Sequence, residues 1–104
     1  MGVYFLKLFM AVVYILYSYK LDKFYIGQTT DFNQRLLQHN DPDSSYSTKG
    51  GQPWEIFLTM HCKSVSHAMK LERHIKNMKS KMFILNLKKY PELLERTIQR
   101  TIDC

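Results

Sequence analysis

One carboxylate stands alone in a long basic stretch. Between residues 56 and 91 the single acid is Glu72, and Lys63, Lys70, Arg73, Lys76, Lys79 and Lys81 surround it. A carboxylate so placed can hold a hard divalent cation where a polyanion docks, or it can pair with Lys76 one helical turn on; the residues leave both open. Arg35 and His39 are four apart, so on a helix they share a face. Arginine carries a permanent charge on a planar fork that suits phosphate oxygens. The two cysteines, Cys62 and Cys104, lie far apart, with no Cys-x-x-Cys or Cys/His zinc spacing. Neither a structural zinc knuckle nor a disulfide scaffold is expected, and a reducing cytoplasm fits better.

The charge distribution points the same way. The net charge of +6 is carried entirely by the C-terminal part: residues 1–62 hold five basic and five acidic side chains, residues 63–104 ten and four. Such a cluster attracts polyanions, of which nucleic acid is the commonest. With 104 residues, 45% of them hydrophobic, the chain is sized for one packed domain, neither a disordered segment nor a multi-domain assembly. The apolar run 3–19 is interrupted by Lys7 and is shorter than the roughly 20 residues a membrane helix needs. No cleavage site of small residues follows it, so neither a membrane span nor a secretory signal is expected. Met10 is an alternative start to Met1, which divides the chain into an extension or early strand start over 1–9 and one domain over 10–104.

The elements that must position these residues follow from periodicity. Val12 to Tyr19 reads as a strand, Lys20 to Lys23 as a turn and Phe24 to Gln28 as the second strand of a hairpin. Asp31 caps a helix with Gln34 three residues on; Phe32 and Leu36 form its apolar side, and it stops near Asn40, ahead of Asp41-Pro42. Residues 41–53 form a turn-rich loop. Trp54 to Cys62 is a third strand in which Ile56, Leu58 and Met60 face inward and Phe57 breaks the polar side. Ser64 or Ser66 caps the next helix, whose core stripe is Ala68, Leu71, Ile75 and Met78. Ser80 caps a short helix carrying Met82, Phe83, Ile84 and Leu87. Pro91 opens a last one with Leu93, Leu94, Ile98 and Ile102 as its apolar side. Hairpin, helix, strand, helices is an α+β order: a three-stranded sheet with helices packed on it.

Placed on those elements, the residues resemble the GIY-YIG nuclease superfamily, above all its small standalone members. The loop and Trp54 also look like the catalytic subunit of structure-specific branch-cutting endonucleases. The resemblance covers about residues 12–88. Val12-Val13-Tyr14 stands where Gly-Ile-Tyr would be, and Tyr25-Ile26-Gly27 is the intact second half-motif. Gln28-Thr29-Thr30, Arg35, His39-Asn40, Lys49 to Glu55 and Leu71-Glu72 follow in register. The resemblance implies a three-stranded antiparallel sheet flanked by helices and metal-dependent hydrolysis of DNA phosphodiesters, in DNA repair or recombination. It implies that Tyr14 and Tyr25 line the site and orient or deprotonate the attacking water, and that Arg35 contacts the scissile phosphate. His39 assists proton transfer or holds a tyrosine, Glu72 ligates a single Mg2+ or Mn2+, and Gly27 and Trp54 support the site structurally.

The chemistry of the residues agrees with that implication. Phosphodiester cleavage needs an activated water, positive charge on the developing phosphorane and a stabilised leaving oxygen. A free tyrosine titrates near 10, so it needs help to act as a base at neutral pH; the spacing does not say which tyrosine that is. Lys49, Lys70, Arg73, Lys76 and Lys79 are expected to hold the DNA backbone, giving salt-dependent binding with little base reading. The expected partner is DNA, joined by a targeting protein subunit, and the expected place is the cytoplasm. The rival reading is a nucleic-acid-binding module with a degenerate site, in which binding needs Lys70 and Lys76 and is indifferent to Glu72.

Overall fold

The computed structural model describes residues 10–44 and 48–102. The expectation for residues 1–9 lies outside them, as do residues 45–47 of the loop and Cys104. Strands β1 (Ala11–Ser18), β2 (Lys23–Thr29) and β3 (Trp54–Cys62) form one antiparallel sheet in the order β2-β1-β3. The helices are α1 (Phe32–Asn40), α2 (Val65–Met78), α3 (Lys81–Lys89) and α4 (Pro91–Ile102), with a 3-10 turn at Lys49–Gly51. The expected α+β architecture is therefore the observed one.

β1 is buried along its length because it is central and covered on both faces. Ala11, Val13 and Ile15 point to one face and pack with Met60, Ala68, Leu71, Ile75, Ile84 and Leu87 under the three C-terminal helices. Tyr14 and Leu16 point to the other, where Trp54, Tyr25, Phe32 and Leu36 form a smaller core beneath α1. The sheet thus has a structural face and a face that carries the tyrosines.

Helix starts follow their caps. Asp31, Ser64 and Ser80 each accept the backbone N–H three residues on, at 3.2, 3.0 and 3.0 Å; of the two serines open for α2, Ser64 is the cap. Lys79 closes α2 in the left-handed region, φ 48°. Glycine is usual at such a helix end, and a side chain there carries backbone strain of about 1 kcal/mol or more.

Three apolar expectations are corrected. Ile56 does not face the core but is half exposed, because β3 bulges at Phe57: Ile15 pairs with Leu58 while Leu16 pairs with Ile56. The extra residue resets the alternation, so Phe57 and Leu58 both pack on the core. Met78 and Ile102 are likewise exposed. On α4 Leu93, Leu94 and Ile98 pack on the core as expected, and Thr97 and Thr101 are buried with them; their hydroxyls donate to Leu93 O and Ile98 O at 2.7 and 2.9 Å and so enter the core already satisfied. His67 Nε2 completes that contact, donating to Ile98 O at 3.0 Å and tying α2 to α4. No helix among the described residues is long and apolar enough to cross a membrane.

Candidate active site

Tyr14 sits at the middle of β1, opposite Gly27 on β2 and Thr59 on β3. Its ring lies across Gly27. A Cβ on that glycine would stand 2.5 Å from the Tyr14 hydroxyl and 2.6 Å from Cζ. Gly27 has no positive φ; its role is close approach, which only a missing side chain permits. The ring is 1% exposed and is enclosed by Tyr25, Phe32 and His39, at centroid distances of 6.4, 5.4 and 5.7 Å.

The phenol is wired to α1. Tyr14 Oη lies 2.8 Å from His39 Nε2, and His39 Nδ1 lies 2.7 Å from Thr48 Oγ1. His39 is fully buried. Burial first, and the Arg35 charge second, hold its pKa below the ordinary imidazole range. Burial likewise pushes the Tyr14 phenol well above its usual range; Tyr25 adds to the shift, Arg35 opposes it by charge and hydrogen bond, and Glu72 adds a smaller upward push. One hydroxyl therefore feels Tyr25, Arg35 and Glu72 together. The structure brings the five predicted site residues into one neighbourhood, although they come from β1, β2, α1 and α2.

Their exposures differ. Tyr14 and His39 are buried, while Tyr25, Arg35 and Glu72 are partly accessible. Tyr25 bridges the two groups, its ring 4.9 Å from His39 and 6.2 Å from Trp54. Glu72 accepts from Lys76 Nζ at 2.6 Å. Of the two alternatives left open for this acid, the structure shows the pairing with Lys76; the same side chain lies within electrostatic reach of Tyr14.

The donor set fits a hard cation held mainly by other ligands. Among the described residues no three His, Cys, Asp or Glu side chains converge as a metal cage. The protein offers the Glu72 carboxylate, an oxygen donor suited to magnesium or manganese, which keep several waters and take phosphate oxygens. It does not offer the closed four-ligand set of structural zinc.

A loop absent from the expected catalytic set holds the wiring in place. Asn40 Oδ1 accepts Trp54 N–H at 2.6 Å and its Nδ2 donates to Trp54 O at 3.1 Å. Gln52 Nε2 donates to His39 O and Asp41 O at 2.8 and 2.7 Å. Trp54 Nε1 donates to Thr48 O at 2.6 Å, and Ser18 Oγ donates to Gly51 O at 2.6 Å. Trp54 therefore acts as the loop's anchor as well as a core residue. Asn40→Ala leaves both backbone groups of Trp54 without these partners and is expected to cost about 2–3 kcal/mol, read as a lower unfolding free energy in urea. Thr48 gave no spacing signal because it lies in a polar, turn-rich loop where a hydroxyl is unremarked; only the fold shows it 2% exposed against His39.

The expected nucleic-acid contacts are dispersed over elements. Lys49 is exposed on the 3-10 turn, and Lys70 and Arg73 are exposed on α2. Lys76 and Lys79 line a recess of about 310 Å3 between the hairpin and the α2–α3 corner, joined there by Lys23 and Lys81. Lys81 also donates to Asp22 Oδ1 at 2.9 Å, fastening the hairpin turn to α3.

A three-stranded antiparallel sheet carrying buried and half-buried phenols beside an arginine, with an acid brought in from the next helix, places the chain in a nuclease superfamily. Within it the chain belongs to the GIY-YIG family: the GIY-YIG catalytic domain matches residues 10–89. Among solved structures it is similar to the UPF0213 protein of Bacillus halodurans, determined by NMR in solution, at 28% identity and a TM-score of 0.49. That match covers 81% of this chain and 90% of that one. No curated protein matches the chain.

Proposed function

We propose that the protein is a metal-dependent DNA endonuclease acting in the cytoplasm, in repair or recombination, with a partner protein directing it to its substrate. The observation that supports this most is the convergence on the Tyr14 hydroxyl: His39 bonded to it, and Tyr25, Arg35 and Glu72 all acting on it electrostatically. These residues are dispersed over 59 positions of the chain, and the fold sets the Tyr25 and His39 rings against that of Tyr14.

In this reading Arg35 binds a non-bridging oxygen of the scissile phosphate and stabilises the charge that grows there. Tyr25, the accessible phenol, orients the attacking water. Tyr14 takes a proton from that water while passing its own to His39 Nε2. The relay needs no free phenolate, which answers the difficulty that burial makes Tyr14 hard to ionise. The water oxygen bonds to phosphorus, the bond from phosphorus to the leaving sugar oxygen breaks, and that oxygen is protonated from solvent. A magnesium or manganese ion held by Glu72 would supply Lewis-acid stabilisation of phosphate charge. Lys49, Lys70, Arg73, Lys76 and Lys79 bind the backbone on either side. The strain accepted at Lys79, where glycine would sit more easily, supports a use for that cation.

The test is a nicking assay on supercoiled and branched DNA with and without magnesium. Cleavage that requires the metal is expected. A wild-type chain that binds DNA but never cuts it would favour the rival, a binding module with a degenerate site, which the Lys76 pairing of Glu72 also suits.

The relay sets a pH dependence. His39 must be neutral to accept a proton, and it is faced by Tyr14, Tyr25, Arg35 and Thr48. Its pKa is depressed, so the rate is expected to rise with pH through a midpoint below the ordinary histidine value of about 6.5 and to be near its plateau there. A single-turnover pH–rate profile whose acid limb lies above that value would contradict the assignment.

A further inference from the structure

We infer that Thr48 is a positioning residue which holds His39 as the Nδ1–H tautomer, so that Nε2 faces Tyr14 as a proton acceptor. This rests on the nuclease reading above and adds to it a residue on the loop side of the imidazole.

A neutral imidazole carries one proton on two nitrogens, so its two contacts must be of opposite kind. Tyr14 Oη and Thr48 Oγ1 can each donate or accept, which leaves two arrangements. In one, Tyr14 donates to Nε2 and Nδ1–H donates to Thr48. In the other, Thr48 donates to Nδ1 and Nε2–H donates to Tyr14. Acidity decides between them. A phenol titrates at about 10 and is the stronger donor, whereas the far less acidic alcohol of threonine is the better acceptor. The Tyr14 ring is 1% exposed and its hydroxyl meets His39 Nε2, so the phenol proton is placed on that contact. The arrangement is Tyr14 to His39 and His39 to Thr48.

Thr48 is built to hold that end. It is 2% exposed, and its β-branched side chain has few rotamers. Its carbonyl accepts both the Trp54 indole N–H at 2.6 Å and the Gly51 N–H at 3.1 Å. Gln52 meanwhile bonds the carbonyl of His39 itself. The loop therefore grips the imidazole's backbone and its distal nitrogen together. When His39 becomes imidazolium in the relay, Nδ1–H keeps an acceptor and the charge is not left facing a bare wall.

The experiment combines ring-nitrogen NMR on the full chain labelled with 15N-histidine and single-turnover cleavage kinetics. Wild type is expected to show a protonated Nδ1 and an unprotonated Nε2 for His39. Thr48→Val removes the acceptor and is expected to move the proton to Nε2 and to lower kcat about 10- to 100-fold with little change in KM. Thr48→Ser restores the hydroxyl and is expected to return both the tautomer and most of the rate. A wild-type spectrum with the proton on Nε2, or Thr48→Val with wild-type tautomer and kcat, would overturn the inference. Should Thr48→Val fail to fold, the wild-type and Thr48→Ser spectra decide alone. A wild-type chain that cuts no DNA removes the nuclease reading, and the spectra still decide the tautomer.

Discussion

Glu72→Gln is expected to lower the rate of DNA cleavage by about 10²–10³-fold while leaving the fold and the affinity for DNA almost intact. The amide has the size and shape of the carboxylate, so packing at the margin of α2 is preserved. What is lost is one negative charge, that of the carboxylate proposed to hold the metal. The ion pair with Lys76 is lost as well, but both side chains reach solvent, at 50% and 21% exposure, and such pairs contribute about 1 kcal/mol at most. Freed of its partner, Lys76 adds positive charge to the recess it shares with Lys23, Lys79 and Lys81. DNA binding at fixed salt should therefore stay level or tighten slightly while cutting fails. That separation is what a structural role for Glu72 would not give: loss of helix stability would weaken binding and cleavage together. Filter binding and nicking on the same preparation read the two quantities side by side, and equal cutting by Glu72→Gln and wild type would exclude this acid from the chemistry.

Gly27→Ala is expected to be strongly destabilising. The new methyl would overlap the Tyr14 hydroxyl at 2.5 Å, Cζ at 2.6 Å and Cε2 at 3.1 Å. The ring cannot slide aside, because Tyr25, Phe32 and His39 enclose it and the hydroxyl is bonded at its far end. Forcing it out costs about 1–3 kcal/mol of overpacking, and breaking a buried hydrogen bond adds about 1–3 more. A fall in Tm of roughly 10–20 °C follows for a domain of this size, with cleavage reduced because Tyr14 is displaced from His39. Gly50, where an added methyl would meet nothing within 4 Å, is the control and should tolerate alanine within about 0.5 kcal/mol. A second control is the cycle with Tyr14→Ala: with the ring gone, adding the methyl at position 27 should cost far less. Full stability of Gly27→Ala in the presence of Tyr14 would mean that the ring does not lie where the structure puts it.

Much of this is legible in the residues. The caps Asp31 and Ser80 announce themselves by type and position, and β3 is bounded by Trp54 and Cys62 because turn residues end on one side and a helix cap begins on the other. Periodicity misleads where a local irregularity resets it. Nothing in Trp54 to Cys62 says that Phe57 is an extra residue, so alternation puts Ile56 inside, whereas it lies outside. Met78 and Ile102 sit at helix ends, where the stripe has run past the surface it covers. Thr97 and Thr101 are polar by type but bury their hydroxyls on their own helix, which a count of apolar positions misses. For the site, types and register point to Tyr14, Tyr25, Arg35, His39 and Glu72. Their wiring is not readable, because Thr48, Asn40 and Gln52 act through bonds between the loop and the end of α1 that exist only once the chain closes.

The most direct measurement is anomalous diffraction from a crystal of the wild-type chain soaked in manganese. One ion bound to the Glu72 carboxylate, on the side of the site that carries the Tyr25 hydroxyl, is the predicted result. Manganese held elsewhere, or Glu72 still paired with Lys76 and bare of metal in a preparation that cuts DNA, would contradict the account.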